Sequence, residues 1–426
     1  MAGTPTAPPD PTWWRILILF TLAGFIESMF WGQITTFTPL YLPQLGVALA
    51  DVPGWLGTIS VVSGVLGIPF LPLWGALADR YARQPVIVRS FVVHLIAGTL
   101  ALLAGNVWVF VLARAMGSFA LGNSGLMMTT LAERTPRPRV GLAFAVMNGG
   151  APVGAFLGPL IGGPIVDTWG FRALMGLDMA LMVGCIAGMA WGYRDHFVGT
   201  DRGPLLRMAW ASVDIVWRAP RLRLLFPALF LLFAGRMLAL TYVAVAVGTL
   251  YHGTDLATAV GLVVGAGGFA ALVVSPLVGA LGDRLGHWPV LFAGGALMVA
   301  LWPLPFFTAD LGTFGVAWAA INGVGAGVFA ISFNVLADSA APAVRGRVMS
   351  FAYLPVNLGF AVGPAIGSLV TRWSILAIFP TAALLTAGGL AVLALAARAP
   401  APARAGEEGL PARPDDGATG AIAGEG

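Results

Sequence analysis

The chain has 426 residues, of which 58% are hydrophobic and only 10% charged, with a mean hydropathy of +0.86. Soluble domains carry about 25% charged residues, so a soluble globular class is excluded, and the length holds about a dozen spans of ~20 to 25 residues. A formal charge of +4, with no basic patch interleaved with stacking aromatics, excludes nucleic acid as a partner.

Residues 1–13 are rich in Pro, Ala and Thr and lack a basic leader, which predicts a short disordered cytoplasmic tail and not a signal peptide. Twelve apolar segments follow, at 14–42, 53–78, 85–104, 107–131, 141–166, 171–193, 222–250, 256–281, 289–308, 312–336, 346–370 and 374–397. The expected fold is an all-α membrane protein of twelve transmembrane helices, with one six-helix bundle over 14–193 and a second over 222–397. Between them, residues 194–221 form the longest connection. Leu206, Trp210, Val213 and Trp217 recur there at three- and four-residue spacing, which predicts an amphipathic helix on the inner leaflet. The Ala/Pro/Gly/Glu-rich stretch 398–426 predicts a disordered cytoplasmic tail.

All 23 basic residues are arginine, and their placement sets the orientation. With both termini inside, the cytoplasmic side receives Arg15, Arg80, Arg83, Arg134, Arg137, Arg139, the 194–223 cluster, Arg284, Arg345 and Arg347. The other side receives only Arg172 and Arg372. A multi-pass protein of the cell's inner (plasma) membrane is expected, with both termini cytoplasmic. The lone Cys185 permits no intrachain disulfide.

An internal repeat joins the halves. Gly75, Asp79 and Arg80 recur as Gly279, Asp283 and Arg284 at an offset of 204. Glu133, Gly154, Gly158, Pro159 and Gly162 recur as Asp338, Gly359, Gly363, Pro364 and Gly367 at an offset of 205. Glycines four apart make a flat stripe on which another helix can lie, and the following proline bends the helix. Six helices return the chain to its starting side, so the halves share one orientation and are related by an axis along the membrane normal, as in a secondary transporter.

These motifs resemble the major facilitator superfamily along nearly the whole chain. GALADRYARQ (75–84) is similar to that family's loop signature after the second helix, departing from it at Ala82 and Gln84. GALGDRLGHW (279–288) is the second copy, with His287 in place of an arginine. GAFLGPLIGG (154–163) resembles the antiporter string of its drug/proton exchangers, and 114–122 resembles the fourth-helix Arg signature, with Ser118 where glycine is common. The resemblance implies that Gly75, Asp79, Arg80, Arg83, Asp283 and Arg284 form a cytoplasmic latch that engages in one conformation and parts in the other. It also implies that helices 1, 4, 7 and 10 line a central pathway.

Charges deep in apolar segments are functional candidates. Glu27 lies near the middle of helix 1, Arg236 is central in helix 7, Arg114 lies in the outer half of helix 4 and Asp178 in the outer part of helix 6. Glu27 can take up a proton or hold a cation, and competition between the two for one carboxylate suffices for exchange. Arg236 can neutralise Glu27 across the cavity or bind an anionic substrate. Trp31, Gln33, Asn123 and Asn322 are the expected cavity-lining residues. His94, His196, His252 and His287 show no metal-ligand spacing, so no metal is expected. No cofactor motif and no enzymatic signature is present in the sequence.

The leading expectation is a monomeric, proton-coupled exporter of small amphipathic or cationic molecules that works by alternating access. The alternatives are uptake of a polar or anionic metabolite through Arg114 and Arg236, and a non-transporting receptor built on the same fold.

Overall fold

A computed structural model describes residues 13–70, 83–120, 123–192, 216–341 and 344–400. Both tails, residues 71–82 with Gly75, Asp79 and Arg80, and most of the expected amphipathic helix lie outside the described residues. Apolar segments of this length become helices because lipid offers the backbone no hydrogen-bond partner, so every N–H and C=O must be satisfied within the segment.

The first six spans are α1 (Trp13–Tyr41), α2 (Val52–Gly67), α3 (Arg83–Leu102), α4 (Val107–Arg134), α5 (Val140–Trp169) and α6 (Phe171–Gly192). The second six are α7 (Pro220–Leu250), α8 (Leu256–Leu285), α9 (His287–Leu301), α10 (Leu311–Asp338), α11 (Leu354–Val370) and α12 (Ile378–Arg398). Eleven of the described helices are long and apolar enough to cross a bilayer, and α11 is a shorter apolar helix of 17 residues. Its counterpart α5 runs for 30 residues, and a separate short helix, Arg345–Ser350, precedes α11. Among the described residues there is no strand.

Local chemistry explains the joints. Gly170 (φ +84°) alone separates α5 from α6, and Gly286 (φ +90°) alone separates α8 from α9. Both sit in backbone space that side chains with a Cβ avoid. The α4 span is broken: its first piece ends at Gly117 and a 3₁₀ turn, Ser118–Ala120, follows. Ser118 donates to the Ser63 carbonyl of α2 at 2.8 Å, so the residue that departs from the usual glycine ties the break to a neighbouring helix.

The helices pack as two six-membered bundles. In the first, α1 lies on α5 and α6, and α3 on α4 and α6; in the second, α7 lies on α11 and α12, and α10 on α8 and α9. The glycine stripes account for the closest pairs. A Cβ at Gly154 would strike the Phe25 carbonyl of α1, and one at Gly158 would come within 3.0 Å of the Met29 carbonyl. In the second bundle, a Cβ at Gly359 would lie 3.0 Å from the Ala234 amide nitrogen of α7, and one at Gly363 would strike the Ala234 carbonyl. The duplicated motif therefore performs one task twice, which is backbone-to-backbone contact between the fifth helix and the first of each bundle.

The bundles meet through α5 with α8 and through α2 with α11. Their close approaches run from the middle of these helices to the end remote from Trp13 and Arg398, termed the far end. Gly261 of α8 approaches the Pro159 carbonyl, Gly163 of α5 approaches Ala257 and Thr258, and Gly57 of α2 approaches Ser368 of α11. Asp167, near the end of α5, accepts hydrogen bonds from the amides of Ala257 (3.0 Å) and Thr258 (2.7 Å) and from the Thr258 hydroxyl (2.6 Å). An acidic side chain from one bundle thus caps a helix of the other, where the helix dipole favours negative charge. The buried Tyr242 hydroxyl lies 2.9 Å from the Pro53 carbonyl of α2 and 2.7 Å from the Pro364 carbonyl of α11, and its single proton is shared across the seam. At the mouth of that seam is a crevice lined by Asp51, Trp55, Thr58, Ser368 and Arg372.

Candidate functional site

Glu27 sits midway along α1, and its carboxylate is largely enclosed, with 16% of the side chain exposed. Asn123, at the start of the second piece of α4, donates through Nδ2 to Glu27 Oε2 at 2.7 Å. His94 of α3 places Nδ1 3.7 Å from Glu27 Oε1, within ion-pair reach but beyond a hydrogen bond. On its other side His94 Nε2 accepts from the Trp31 indole at 3.1 Å. A neutral ring whose Nε2 is an acceptor carries its proton on Nδ1, so the partner network turns an N–H toward the carboxylate.

Trp31 lies one helical turn beyond Glu27, and its ring takes the Arg114 guanidinium at 4.9 Å from the centroid. Phe30 completes an aromatic cluster with Trp31 and His94. A small pocket lined by Phe30, Trp31, Ile34, His94 and Arg114 sits beside this cluster. The first bundle therefore holds, on three helices, one acid, one imidazole, one guanidinium and the amide and indole that orient them. Such a group can bind and release a proton, or hold a cation against an aromatic wall.

The remaining sequence candidates fall in several places. Gln33 is buried and donates to the Gly158 carbonyl at 3.0 Å, which puts it in the α1–α5 contact. Asn322 donates to the Trp318 carbonyl of its own helix and faces Gly267 of α8. Arg236 does not meet Glu27; its described contacts are the Phe329 ring of α10 at 6.0 Å and the space beside Gly325. Asp178, placed near the outer surface from the sequence, is buried at 1% exposure, and neither of its oxygens has a described hydrogen-bond partner. In the latch group, Arg83 makes a two-pronged pair with Glu133 at 2.7 and 2.9 Å. Asp283 lies 3.6 Å from His287 Nε2, and Arg284 is exposed. His287 reaches Asp338 at 2.6 Å, so the second bundle repeats the Arg83–Glu133 pair with a weaker base.

His94 is the participant that sequence reasoning missed. It reads as one histidine in an apolar run, and the pairing that matters joins it to residues 63 and 67 positions earlier. A weak signal existed, because His94 is a polar residue in the interior of a predicted span. Arg89, one turn earlier on α3 and bonded to the Ser90 hydroxyl, carried the same signal.

A family model for the Major Facilitator Superfamily matches residues 20–255 and again residues 225–422. The chain belongs to that superfamily. The first match covers the first bundle and runs on through α7, the second covers the second bundle, and the double match agrees with the repeat. Among sequence relatives, the chain is 28% identical over 376 residues to the multidrug resistance protein MdtG of Yersinia enterocolitica, covering 86% of this chain and 89% of that protein. It is 26% identical over 386 residues to MdtG of an Escherichia coli O81 strain, covering 89% and 93%. Among solved superfamily folds, the nucleoside transporter NupG superposes with a TM-score of 0.73 at 15% identity, covering 89% of this chain and 98% of that one. A peptide transporter POT in complex with sulfate gives 0.71 at 15% identity, covering 92% and 97%. At these identities the structures speak for the shared fold alone.

Proposed function

We propose that this member of the Major Facilitator Superfamily is a monomeric, proton-coupled exporter of small amphipathic or cationic compounds in the bacterial inner membrane, with both termini in the cytoplasm. The observation that carries the reading is the Glu27 site: an acid at mid-membrane depth, bonded to Asn123 and faced by the N–H side of His94. The export direction is supported by the likeness to proteins named for multidrug resistance. In this orientation the tight far-end seam makes the described state one that is closed to the outside.

The residues divide the work. A proton on Glu27 removes the charge that a cationic substrate needs, and loss of that proton restores it. One carboxylate thus serves two ligands in turn, and the bundles (14–193 and 222–397) rock about the α5–α8 and α2–α11 seams between the two loads. Asn123 and His94 fix the carboxylate, and Trp31 offers an apolar face beside it. Inverted membrane vesicles test the reading. An imposed proton gradient should drive accumulation of a lipophilic cationic dye in wild type, and Glu27→Gln should abolish the gradient-dependent part. Undiminished gradient-driven transport in Glu27→Gln would remove that residue from the mechanism.

A further inference from the structure

Arg236 is a half-buried guanidinium near the middle of α7 with no described carboxylate in ion-pair range and no described hydrogen-bond acceptor; its Nη1 is buried and unpartnered. An uncompensated charge at this depth is costly, and a protein retains one where something completes it. The repeat sharpens the point. At an offset of 205, Arg236 occupies the place of Trp31, and in the first bundle that place receives a guanidinium instead of supplying one.

The surroundings of Arg236 are aromatic. Phe329 lies under the guanidinium, 5.3 Å from Phe233 and 5.0 Å from Phe333, and Phe333 lies 4.9 Å from Tyr353. Phe329 and Phe333 are four residues apart on α10, so both rings stand on one face. Exposure rises along the strip, from 2% at Phe233 through half-buried Phe329 and Phe333 to 56% at Tyr353, the end nearer the chain termini. A path of ring faces therefore leads from the end nearer the chain termini to a guanidinium whose Nη1 is unpartnered.

We propose that Arg236 and this strip form an anion-recognising half-site for amphiphiles that carry a carboxylate or sulfonate at one end of an aromatic body. The guanidinium fork takes the oxygens in parallel hydrogen bonds, and the rings take the body. This goes beyond the cation exchange at Glu27 by naming a second substrate class, and it rests on the transport reading only for the substrate's route.

Equilibrium binding to the purified full-length protein tests it without a proton gradient, so a failure of proton coupling and a failure of this site give different results. Calorimetry with 2-naphthoate and its neutral analogue 2-naphthamide should give about a tenfold preference for the carboxylate in wild type. Arg236→Gln should bind the two probes equally, and Phe329→Ala should weaken both in parallel. A wild type without the preference, or binding neither probe, overturns the proposal, as does a preference that survives in Arg236→Gln. If Arg236→Gln does not fold, Arg236→Lys decides. Loss of the fork should weaken naphthoate and spare naphthamide, and a lysine variant that alters neither probe, or both equally, overturns the proposal.

Discussion

At Glu27 the two carboxylate oxygens meet different partners, an amide donor at 2.7 Å and an imidazole at 3.7 Å. The imidazole is aimed by Trp31, whose N–H occupies its far nitrogen. Trp31→Phe keeps the apolar ring but removes that donor. Loss of about 1 kcal/mol of orienting hydrogen bond should slow proton-coupled transport roughly fivefold, read as initial rates in vesicles across a pH series. Glu27, Arg114 and Arg236 were legible in the sequence because a charge inside an apolar run stands out by composition alone. The pairings were not. Asn123 meets Glu27 across 96 residues and Trp31 meets His94 across 63, separations that no helical period encodes. For the same reason the sequence left open whether Arg236 answers Glu27; helix packing decided it, by turning Arg236 toward Phe329.

At the scale of the helix, the glycine stripes make a prediction with an internal control. Gly154→Ala would push a methyl group into the Phe25 carbonyl of α1, whereas a Cβ at Gly141 of the same helix meets nothing within 4 Å. Gly154→Ala should cost about 1–3 kcal/mol of overpacking and lower the unfolding temperature; Gly141→Ala should leave it unchanged. Helix capping gives a second test. Asp310 accepts from the Thr313 amide at 2.9 Å and the Thr313 hydroxyl at 2.7 Å, and these bonds hold its carboxyl below the ordinary carboxylate range. A depressed folded value means that the stabilisation is present above the unfolded pKa of about 3.9 and is lost as pH falls through the folded one. Asp310→Ala should therefore lower the melting temperature at neutral pH and converge with wild type in strong acid. The helices themselves were readable from apolar run length. The interruption of α4 was not, because Ser118 supports a break only through its bond to Ser63 on another helix.

At the scale of the molecule, two bundles from one ancestral pattern are joined at the far end by contacts that any opening must break. Tyr242→Phe removes the hydroxyl that reaches the Pro53 carbonyl across the seam, and Asp167→Ala removes the acceptor of the Ala257 and Thr258 hydrogen bonds across it. In a Cys185→Ser background, a reporter cysteine in place of Ser368 should then react faster with an impermeant maleimide, since Ser368 packs on Gly57 while the seam is shut. The halves also differ in chemistry. The first bundle joins Arg83 to Glu133 through a guanidinium, which stays charged at any physiological pH, whereas the second joins His287 to Asp338 through an imidazole, the side chain type whose charge depends on pH. His287→Arg should raise the melting temperature relative to wild type by an amount that grows as pH rises from 6 to 9.

The unequal fifth helices carry a consequence for the surrounding lipid. At 1.5 Å per residue, the 17 residues of α11 span about 26 Å, short of a hydrocarbon layer of about 30 Å, while the 30 residues of α5 exceed it. One flank of the molecule thus asks the acyl chains to thin and the other to thicken or let the helix lean. Turnover in reconstituted liposomes should accordingly pass through a maximum as chain length is varied, with the optimum displaced toward shorter lipids when α11 must move.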